Sequence, residues 1–167
     1  MTDVTQNFIA KSRSLLRDDY LPKIERCLEE LSDEDIWWRT HDEGNSIGNL
    51  LLHISGNARQ WIVGGVGGAE NRRERQQEFD QREGISRAEL LDQLRRTLDD
   101  VEGVLARQDA DAMLEPRQIQ KYDVTVLEAI YHVVEHFAMH TGQIILLTKM
   151  LKRTDMKFHE HLKQSGV

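Results

Sequence analysis

The sequence contains almost no cysteine and very little proline. Its single cysteine, Cys27, cannot form a disulfide within the chain, which is typical of proteins from a reducing compartment. The two prolines, Pro22 and Pro116, leave nearly all of the 167 residues free to adopt a helical backbone. The composition therefore favours a helical protein without disulfides, and we expect it to be cytoplasmic.

Long apolar segments are also absent. No run approaches the roughly 20 residues that a membrane-spanning helix needs, and the first residues have neither the basic nor the apolar part of a secretory signal. With 39% hydrophobic and 31% charged side chains, the chain has the composition of a globular protein. We therefore expect a single domain spanning residues 1–167, with no membrane partner.

Positive charge is in short supply. The chain has 29 acidic and 22 basic side chains, which gives a formal net charge of −7. A protein that binds nucleic acid needs a basic face that displaces phosphate counterions. The densest basic run, at residues 72–75, is interrupted by Glu74 and is interpreted as a solvated loop. The sequence predicts no nucleic-acid partner.

Helical periodicity, in contrast, is present along most of the chain. Apolar residues recur every three or four positions, the spacing of one buried stripe on a helix, in four segments that span about residues 4–31, 47–63, 86–105 and 125–151. Pro22 lies inside the first segment and should kink or break that helix just before the proline. No strand is predicted. Four amphipathic helices bury their stripes most simply as a four-helix bundle.

Local signals indicate where these helices begin and where one of them ends. Residues that can cap a helix N-terminus are Asn45 or Ser46, Ser86 with Glu89, and Thr125 with Glu128. The glycine-rich residues 64–68 should end the second helix, because glycine disfavours helical backbone. Residues 64–85 are then a long polar connection, and connections of this length are often functional or mobile.

Three of the seven histidines lie four residues apart on the predicted fourth helix. His132, His136 and His140 are each rotated by about 40° from the one before, so a neighbouring pair can converge on one ion. His53 lies on the apolar stripe of the second helix and should face the interior. Bundle metal sites use side chains from facing helices. The spacing therefore predicts a divalent transition metal on His53 and a neighbouring pair of the fourth-helix histidines, with one coordination position open to water or substrate.

The same histidines have a second interpretation, as hydrogen-bonded residues of an apolar core. An isolated interior histidine is more often such a residue than a ligand. Here the surrounding stripe is apolar, with Val133, Phe137 and Ile144, and burying unpaired imidazoles in it would cost free energy. A third inward histidine on another helix adds to the case for a metal.

Three amide side chains and one further histidine flank the predicted ligands: Asn49, Asn57, Gln143 and His132. The amides can orient imidazole N–H groups, or they can form hydrogen bonds between helices. His132 can be an orienting partner or an alternative ligand. Glu135 follows His132 on the same helix but points about 100° away from His136, and is interpreted as solvated or salt-bridged. No catalytic acid or base is recognisable, so the catalytic residues are unknown.

Two segments carry a more specific pattern. They are Asn-Ser-Ile-Gly-Asn-Leu-Leu-Leu-His-Ile-Ser-Gly-Asn at residues 45–57, followed by Trp61, and His-Val-Val-Glu-His-Phe-Ala-Met-His-Thr-Gly-Gln-Ile at residues 132–144. Together they resemble the DinB-like superfamily, and most closely an uncharacterised bacterial branch of it. The loop with Arg72, Arg73 and Glu78-Phe79 is similar to that branch as well. The resemblance covers essentially the whole chain.

The resemblance implies an all-α, DinB-like four-helix bundle, commonly a homodimer, with a divalent metal that is often zinc or nickel. One histidine of the second helix and two of the fourth hold that metal, which in this sequence are His53, His136 and His140. Characterised members include enzymes that attach low-molecular-weight thiols and thiol-dependent isomerases. The implied function is a metal-dependent hydrolase or transferase that uses such a thiol on a small electrophile. The alternative is a non-catalytic metal-binding bundle with a stress-related or partner-binding role.

Overall fold

The four long helices of the prediction are present in the computed structural model, which describes residues 4–158. Helix α1 comprises Val4–Ser14, a π-helical stretch Leu15–Tyr20 and Leu21–Glu29, and helix α2 comprises Ile47–Ala58 and a π-helical stretch Arg59–Val66. A short helix, α3, is Arg75–Asp80; α4 is Arg87–Leu105 and α5 is Val126–Lys152. Two 3₁₀ turns, Asp35–Trp37 and Ala112–Leu114, lie in the connections. His159 and His161, which the sequence suggests are exposed to solvent, lie outside the described residues.

Helix α1 passes through Pro22 without a break. Proline has no amide hydrogen, so the regular hydrogen-bond ladder cannot continue unchanged across it. Ahead of the proline the ladder adopts the π form, in which the N–H of Leu21 donates to the carbonyl oxygen of Leu16, five residues earlier. The predicted disturbance is therefore a change of hydrogen-bond register within a continuous helix. The helix ends at Glu29 instead of Leu31.

The glycine-rich segment ends α2, as predicted, but the helix extends three residues beyond the expected end at Val63. The helix continues through Gly64 and Gly65 to Val66 in the π form. A Cβ on Gly65 would lie 2.4 Å from Cδ1 of Ile119, so glycine at this position lets another segment pack directly against the helix backbone. That close packing outweighs the low intrinsic helix preference of glycine, and the long polar connection is correspondingly shorter.

The segment that packs against α2 is a β-hairpin, which the sequence did not predict. Strands β1 (Pro116–Ile119) and β2 (Tyr122–Thr125) pair antiparallel, with Pro116 opposite Thr125 and Ile119 opposite Tyr122. Each strand has four residues, too few for an alternating pattern to stand out. The turn also lacks the Asn-Gly or Asp-Gly pair that usually marks a hairpin, and Gln120 adopts the left-handed φ of 56° itself.

The apolar core lies between α1, α2, α4 and α5. Its largest fully buried side chain is Phe137, on α5, and α2 and α4 contribute Ile54 and Leu94 to the same cluster. Helix α2 packs against α5, and α3 packs against α2. In the part of the chain that the structure describes, no helix has the length and apolarity needed to cross a bilayer. The arrangement places the inner faces of α2 and α5 next to each other, with α3 alongside.

All three predicted helix caps are present, and that of α4 allows a direct test. The backbone N–H of Ser86 donates to Oε2 of Glu89 at 2.9 Å, and Oγ of Ser86 accepts from the N–H of Glu89 at 3.3 Å. We expect Ser86→Ala to lower the free energy of unfolding by about 1 kcal/mol. Thermal unfolding should show a midpoint lower by about 2–4 °C.

Ser14→Ala is the matched control, because Ser14 lies inside a continuous helix and its side chain caps nothing. Its midpoint should be unchanged or slightly higher, since alanine is the better helix former. An equal loss of stability in both variants would contradict a specific capping role for Ser86.

Candidate metal centre

The structure brings together the three histidines that the sequence named. His53 on α2 and His136 and His140 on α5 are buried, with exposed fractions of 6%, 9% and 8%. Nε2 of His136 lies 3.1 Å from Nε2 of His53 and 3.2 Å from Nε2 of His140. One ring nitrogen from each residue lies within 4.8 Å of the others. We call His53, His136 and His140 the histidine cluster.

Helix geometry explains why these residues meet. His136 and His140 are four residues apart, about one turn, so both project from the same face of α5. His53 projects from the face of α2 that packs against α5. Phe137, next to His136 in the chain, is fully buried and fixes the rotation of α5 about its axis. The orientation of the cluster therefore follows from the packing of the core.

The outer ring nitrogens of two of these histidines are fixed by hydrogen bonds. Nδ1 of His53 lies 2.9 Å from Oε2 of Glu78, and Nδ1 of His140 lies 2.6 Å from Oε1 of Gln143. Both partner atoms are acceptors, so each imidazole carries its proton on Nδ1 and donates it outward. Each therefore directs an unprotonated Nε2 towards the centre of the cluster.

Three inward Nε2 atoms cannot satisfy one another by hydrogen bonding. Only His136 can carry a hydrogen on Nε2. That hydrogen can be donated to His53 or to His140, but not to both. Protonation does not resolve this, because burial and the neighbouring histidines lower the pKa of His136 to about 3. Its Nδ1 is buried and makes no hydrogen bond to any described residue. A divalent cation accepts all three lone pairs, so the cluster could hold a metal ion.

An arginine–glutamate pair holds the outer side of His53. Nε of Arg73 donates to Oε1 of Glu78 at 2.6 Å, and Nη2 of Arg73 donates to Oε2 of Glu78 at 2.8 Å, a two-point ion pair. Nη2 of Arg73 also lies 3.1 Å from Nδ1 of His53. Both of these nitrogens donate a hydrogen bond to Oε2 of Glu78. Burial by itself raises the pKa of the Glu78 carboxyl, but the hydrogen bonds from Arg73 and His53 lower it below its usual value. Glu78 is therefore the ionised acceptor that His53 requires.

The interpretation of residues 72–75 as a solvated loop was wrong for one residue. The side chain of Arg72 is 82% exposed, whereas that of Arg73 is 6% exposed and that of Glu78 is 11% exposed. Gly56 of α2 provides the space, because a Cβ there would lie 2.1 Å from Oε1 of Glu78 and 2.8 Å from Nε of Arg73. The sequence signal for this pair was its position in the loop that resembles the bacterial branch.

The flanking amides were predicted either to orient imidazole N–H groups or to form hydrogen bonds between helices, and the structure contains examples of each kind of contact. Gln143 contacts His140, as an orienting residue must. Asn49 caps α2 together with Ser46, and its Nδ2 donates to the carbonyl oxygens of Glu78 at 2.7 Å and Gln81 at 2.9 Å. Its hydrogen bonds therefore connect α2 to the segment that carries Glu78 and do not reach the histidine cluster.

His132 and Asn57 form a separate contact beside the cluster. Nδ2 of Asn57 lies 3.2 Å from Nε2 of His132, and the ring of His132 stacks on Trp61 with centroids 4.1 Å apart. The rings of His132 and His136 are 5.5 Å apart. Burial lowers the pKa of His132, partly offset by Glu135, so the ring is neutral at neutral pH. Among the described residues, the group that could hold a metal does not include His132.

An open cavity of about 520 Å³ lies beside the cluster. His53 and His136 line its inner end, and the β-hairpin forms part of its wall. The remaining lining residues are Asn57, Trp61, Arg73, Arg75, Gln120, Tyr122, Val124 and His132. The rings of Trp61 and Tyr122 are 6.0 Å apart. A small molecule in this cavity would contact aromatic rings, arginine side chains and two members of the histidine cluster together.

The fold and the cluster define a class of protein: a helical bundle with the DinB-like fold and three buried histidines that could hold a metal ion. Two similar solved structures are DinB-like proteins, from Bacillus cereus (TM-score 0.62, 16% identity, 79% of this chain and 85% of that chain) and Bacillus subtilis (0.66, 12%, 92% and 97%). A conserved protein from Enterococcus faecalis is similar as well (0.76, 14%, 92% and 100%). The predicted fold is therefore confirmed.

The chain belongs to the family described as protein of unknown function (DUF1572), whose model matches residues 3–160. This agrees with the resemblance to an uncharacterised branch of the DinB-like proteins. No curated protein is significantly similar to the chain.

Proposed function

We propose that this protein binds one divalent transition-metal ion, zinc or nickel, through Nε2 of His53, His136 and His140. The observation that carries the proposal is the convergence of these buried nitrogens, two of which are kept unprotonated by Glu78 and Gln143. We further propose that the bound metal serves a hydrolase or transferase reaction of a low-molecular-weight thiol with a small electrophile. A bound ion of this kind supplies positive charge that lowers the pKa of an adjacent thiol or water.

The residues around the cavity support an anionic thiol as the partner. Among the described residues, none that lines the cavity has a carboxylate, and Arg75 contributes an exposed guanidinium that stacks on Phe79 at 4.7 Å. The side chains of Trp61 and Tyr122 present aromatic surface to the apolar part of a ligand. The positive charge of Arg73 is already paired with Glu78, so among the described lining residues we assign Arg75 as the cation for a carboxylate of the thiol.

Metal content tests the first part of the proposal. We expect untagged protein to contain about one zinc or nickel ion per chain by elemental mass spectrometry. Removal of the ion with a chelator should lower the thermal midpoint, and adding the metal back should restore it, because an ion bound only to the folded state stabilises that state. Protein that is purified empty and takes up neither zinc nor nickel would contradict the proposal.

Thiol chemistry tests the second part. The metal-loaded protein should accelerate conjugation of a cellular thiol to a small electrophile, and the chelated protein should not. Equal rates with and without protein, across several thiols, would leave a metal-binding protein without this activity.

One observation favours that non-catalytic alternative. Within residues 4–158, the carboxylate that contacts the cluster is that of Glu78, which is engaged by both Arg73 and His53 and is not free to exchange protons with a substrate. In this case the metal would contribute to stability alone, and the protein would have a stress-related or partner-binding role.

A further inference from the structure

His132 lines the cavity beside the histidine cluster, although among the described residues it does not belong to the group that could hold a metal. Its ring centroid lies 5.5 Å from that of His136, which also lines the cavity. A small molecule that contacts His136 in the cavity is therefore close to His132 as well. Neither metal binding nor recognition of the thiol by Arg75 uses this side chain.

One hydrogen bond determines which nitrogen of His132 carries a hydrogen. Nδ2 of Asn57 lies 3.2 Å from Nε2 of His132. An amide nitrogen can only donate, so Nε2 of His132 must be the acceptor in this contact. A histidine that accepts through Nε2 is neutral and carries its hydrogen on Nδ1.

This hydrogen has no acceptor in the part of the chain that the structure describes. Nδ1 of His132 makes no hydrogen bond with any described residue, and unlike Nδ1 of His136 it is not fully buried. A hydrogen bond between helices α2 and α5 accounts for Nε2 of His132 but not for Nδ1. His132 therefore offers an N–H donor to a molecule in the cavity.

Two contacts hold the ring of His132 in place. The ring of Trp61 packs against it with centroids 4.1 Å apart, and Trp61 lies on the π-helical stretch of α2, a feature that is frequent at functional sites. Asn57 is 5% exposed, and within residues 4–158 its side chain makes a hydrogen bond to His132 alone. A donor that is fixed before the ligand binds needs no reorganisation when charge develops on the ligand.

We propose that Nδ1–H of His132 donates a hydrogen bond to a carbonyl oxygen of the electrophile and stabilises the negative charge that develops there as the thiol adds. Asn57 is the positioning residue that keeps the hydrogen on Nδ1. The proposal assigns the electrophile to the carbonyl compounds, and it rests on the thiol reaction proposed above.

The addition of a thiol to an enone shows where this hydrogen bond acts. The S–H group loses its proton, the sulfur forms a bond to the β carbon, and the electron pair of the C=C bond moves to the carbonyl oxygen. The enolate then takes up one proton, which balances the proton that the thiol lost. His132 acts on the enolate oxygen and is not consumed.

Nuclear magnetic resonance tests the position of the hydrogen. Long-range proton–nitrogen correlation spectra of histidine-labelled protein should show His132 protonated on Nδ1. Asn57→Leu should lose this preference, because its side chain donates no hydrogen bond to Nε2. A wild-type protein with the hydrogen on Nε2 of His132 would overturn the proposal, and an unchanged preference in Asn57→Leu would overturn the role of Asn57.

Two electrophiles separate the effect of His132 from activation of the thiol. The metal-loaded protein should accelerate the reaction of cysteine with cyclohexenone, a carbonyl compound, and with benzyl chloride, which has no oxygen. His132→Phe keeps a ring beside Trp61 but has no N–H, so the acceleration with cyclohexenone should fall about 100-fold relative to that with benzyl chloride. His132→Asn, whose amide supplies an N–H, should recover part of this loss.

His41→Phe is the matched control, because His41 is an exposed histidine that does not line the cavity. It should leave the ratio of the two accelerations unchanged, and circular dichroism and metal content should be equal in all variants. An unchanged ratio in His132→Phe would overturn this inference alone. A wild-type protein that accelerates neither reaction would overturn the thiol chemistry and this inference with it.

Discussion

Replacing His136 with alanine is expected to abolish stoichiometric metal binding while the helical bundle remains folded. His136 is the central member of the cluster, since its Nε2 lies 3.1 Å and 3.2 Å from those of His53 and His140. Its loss leaves two nitrogens, which cannot complete a stable site for zinc or nickel. Even residues that only orient ligands change metal affinity by 10–100-fold, so we expect a loss of more than about 100-fold. A competition titration with a chromophoric chelator measures it.

His132→Ala is the control for this experiment. His132 lies one turn earlier on the same helix and is also stacked and partly buried, but it contacts Asn57 and Trp61 instead of the cluster. We expect it to retain about one ion per chain at near wild-type affinity. Undiminished metal binding by His136→Ala would contradict the metal site and support the interpretation of the three histidines as core residues.

Loosening the Arg73–Glu78 pair is expected to lower metal affinity by about 10–100-fold without altering any ligand. Glu78→Gln removes the charge that accepts the proton of His53. Gly56→Ala keeps the charge but moves it away from His53, because the added Cβ would lie 2.1 Å from Oε1 of Glu78 and displace the carboxylate. Alanine is the better helix former, so α2 itself should not be weakened. The same competition titration measures both variants.

Spectroscopy and two control substitutions separate this effect from a loss of folding. With Co²⁺ as the bound ion, the visible absorption of both variants should shift from that of the wild type, because the hydrogen bond to Glu78 orients the ring of His53 towards the ion. Glu74→Gln, an exposed residue at the start of the same segment, and Gly103→Ala, an exposed helix glycine elsewhere, should change neither affinity nor spectrum. Unchanged affinity in both Glu78→Gln and Gly56→Ala would show that the pair only anchors the loop.

The helices could be predicted from sequence because their signals are local. The two predicted capping boxes, Ser86 with Glu89 and Thr125 with Glu128, each join residues three positions apart, and both form in the structure. Predictions failed where packing between distant segments overrode local preference. The clearest case is Gly65, which remains helical because Ile119, from a hairpin far along the chain, packs against it.

The same distinction applies to the metal centre. The spacing of His132, His136 and His140 allowed either neighbouring pair, and the resemblance selected His136 with His140. His53 could be assigned from its place on an apolar stripe. Glu78 could not be assigned, because its contact with His53 spans 25 residues and depends on the path of a loop. For Asn49 the spacing was misleading. It lies one helical turn from His53, but its amide donates to the carbonyl oxygens of Glu78 and Gln81.

The sequence by itself determined the mainly helical fold, the positions of the helix caps and which three histidines share the inner faces of two helices. Periodicity and capping act over three or four residues, so they are readable along the chain. The tertiary structure decided what lies outside that range: the burial of Arg73 with Glu78 and the hairpin wall of the cavity. Burial and exposure depend on which segments meet in space, and that is settled only when the whole chain has packed.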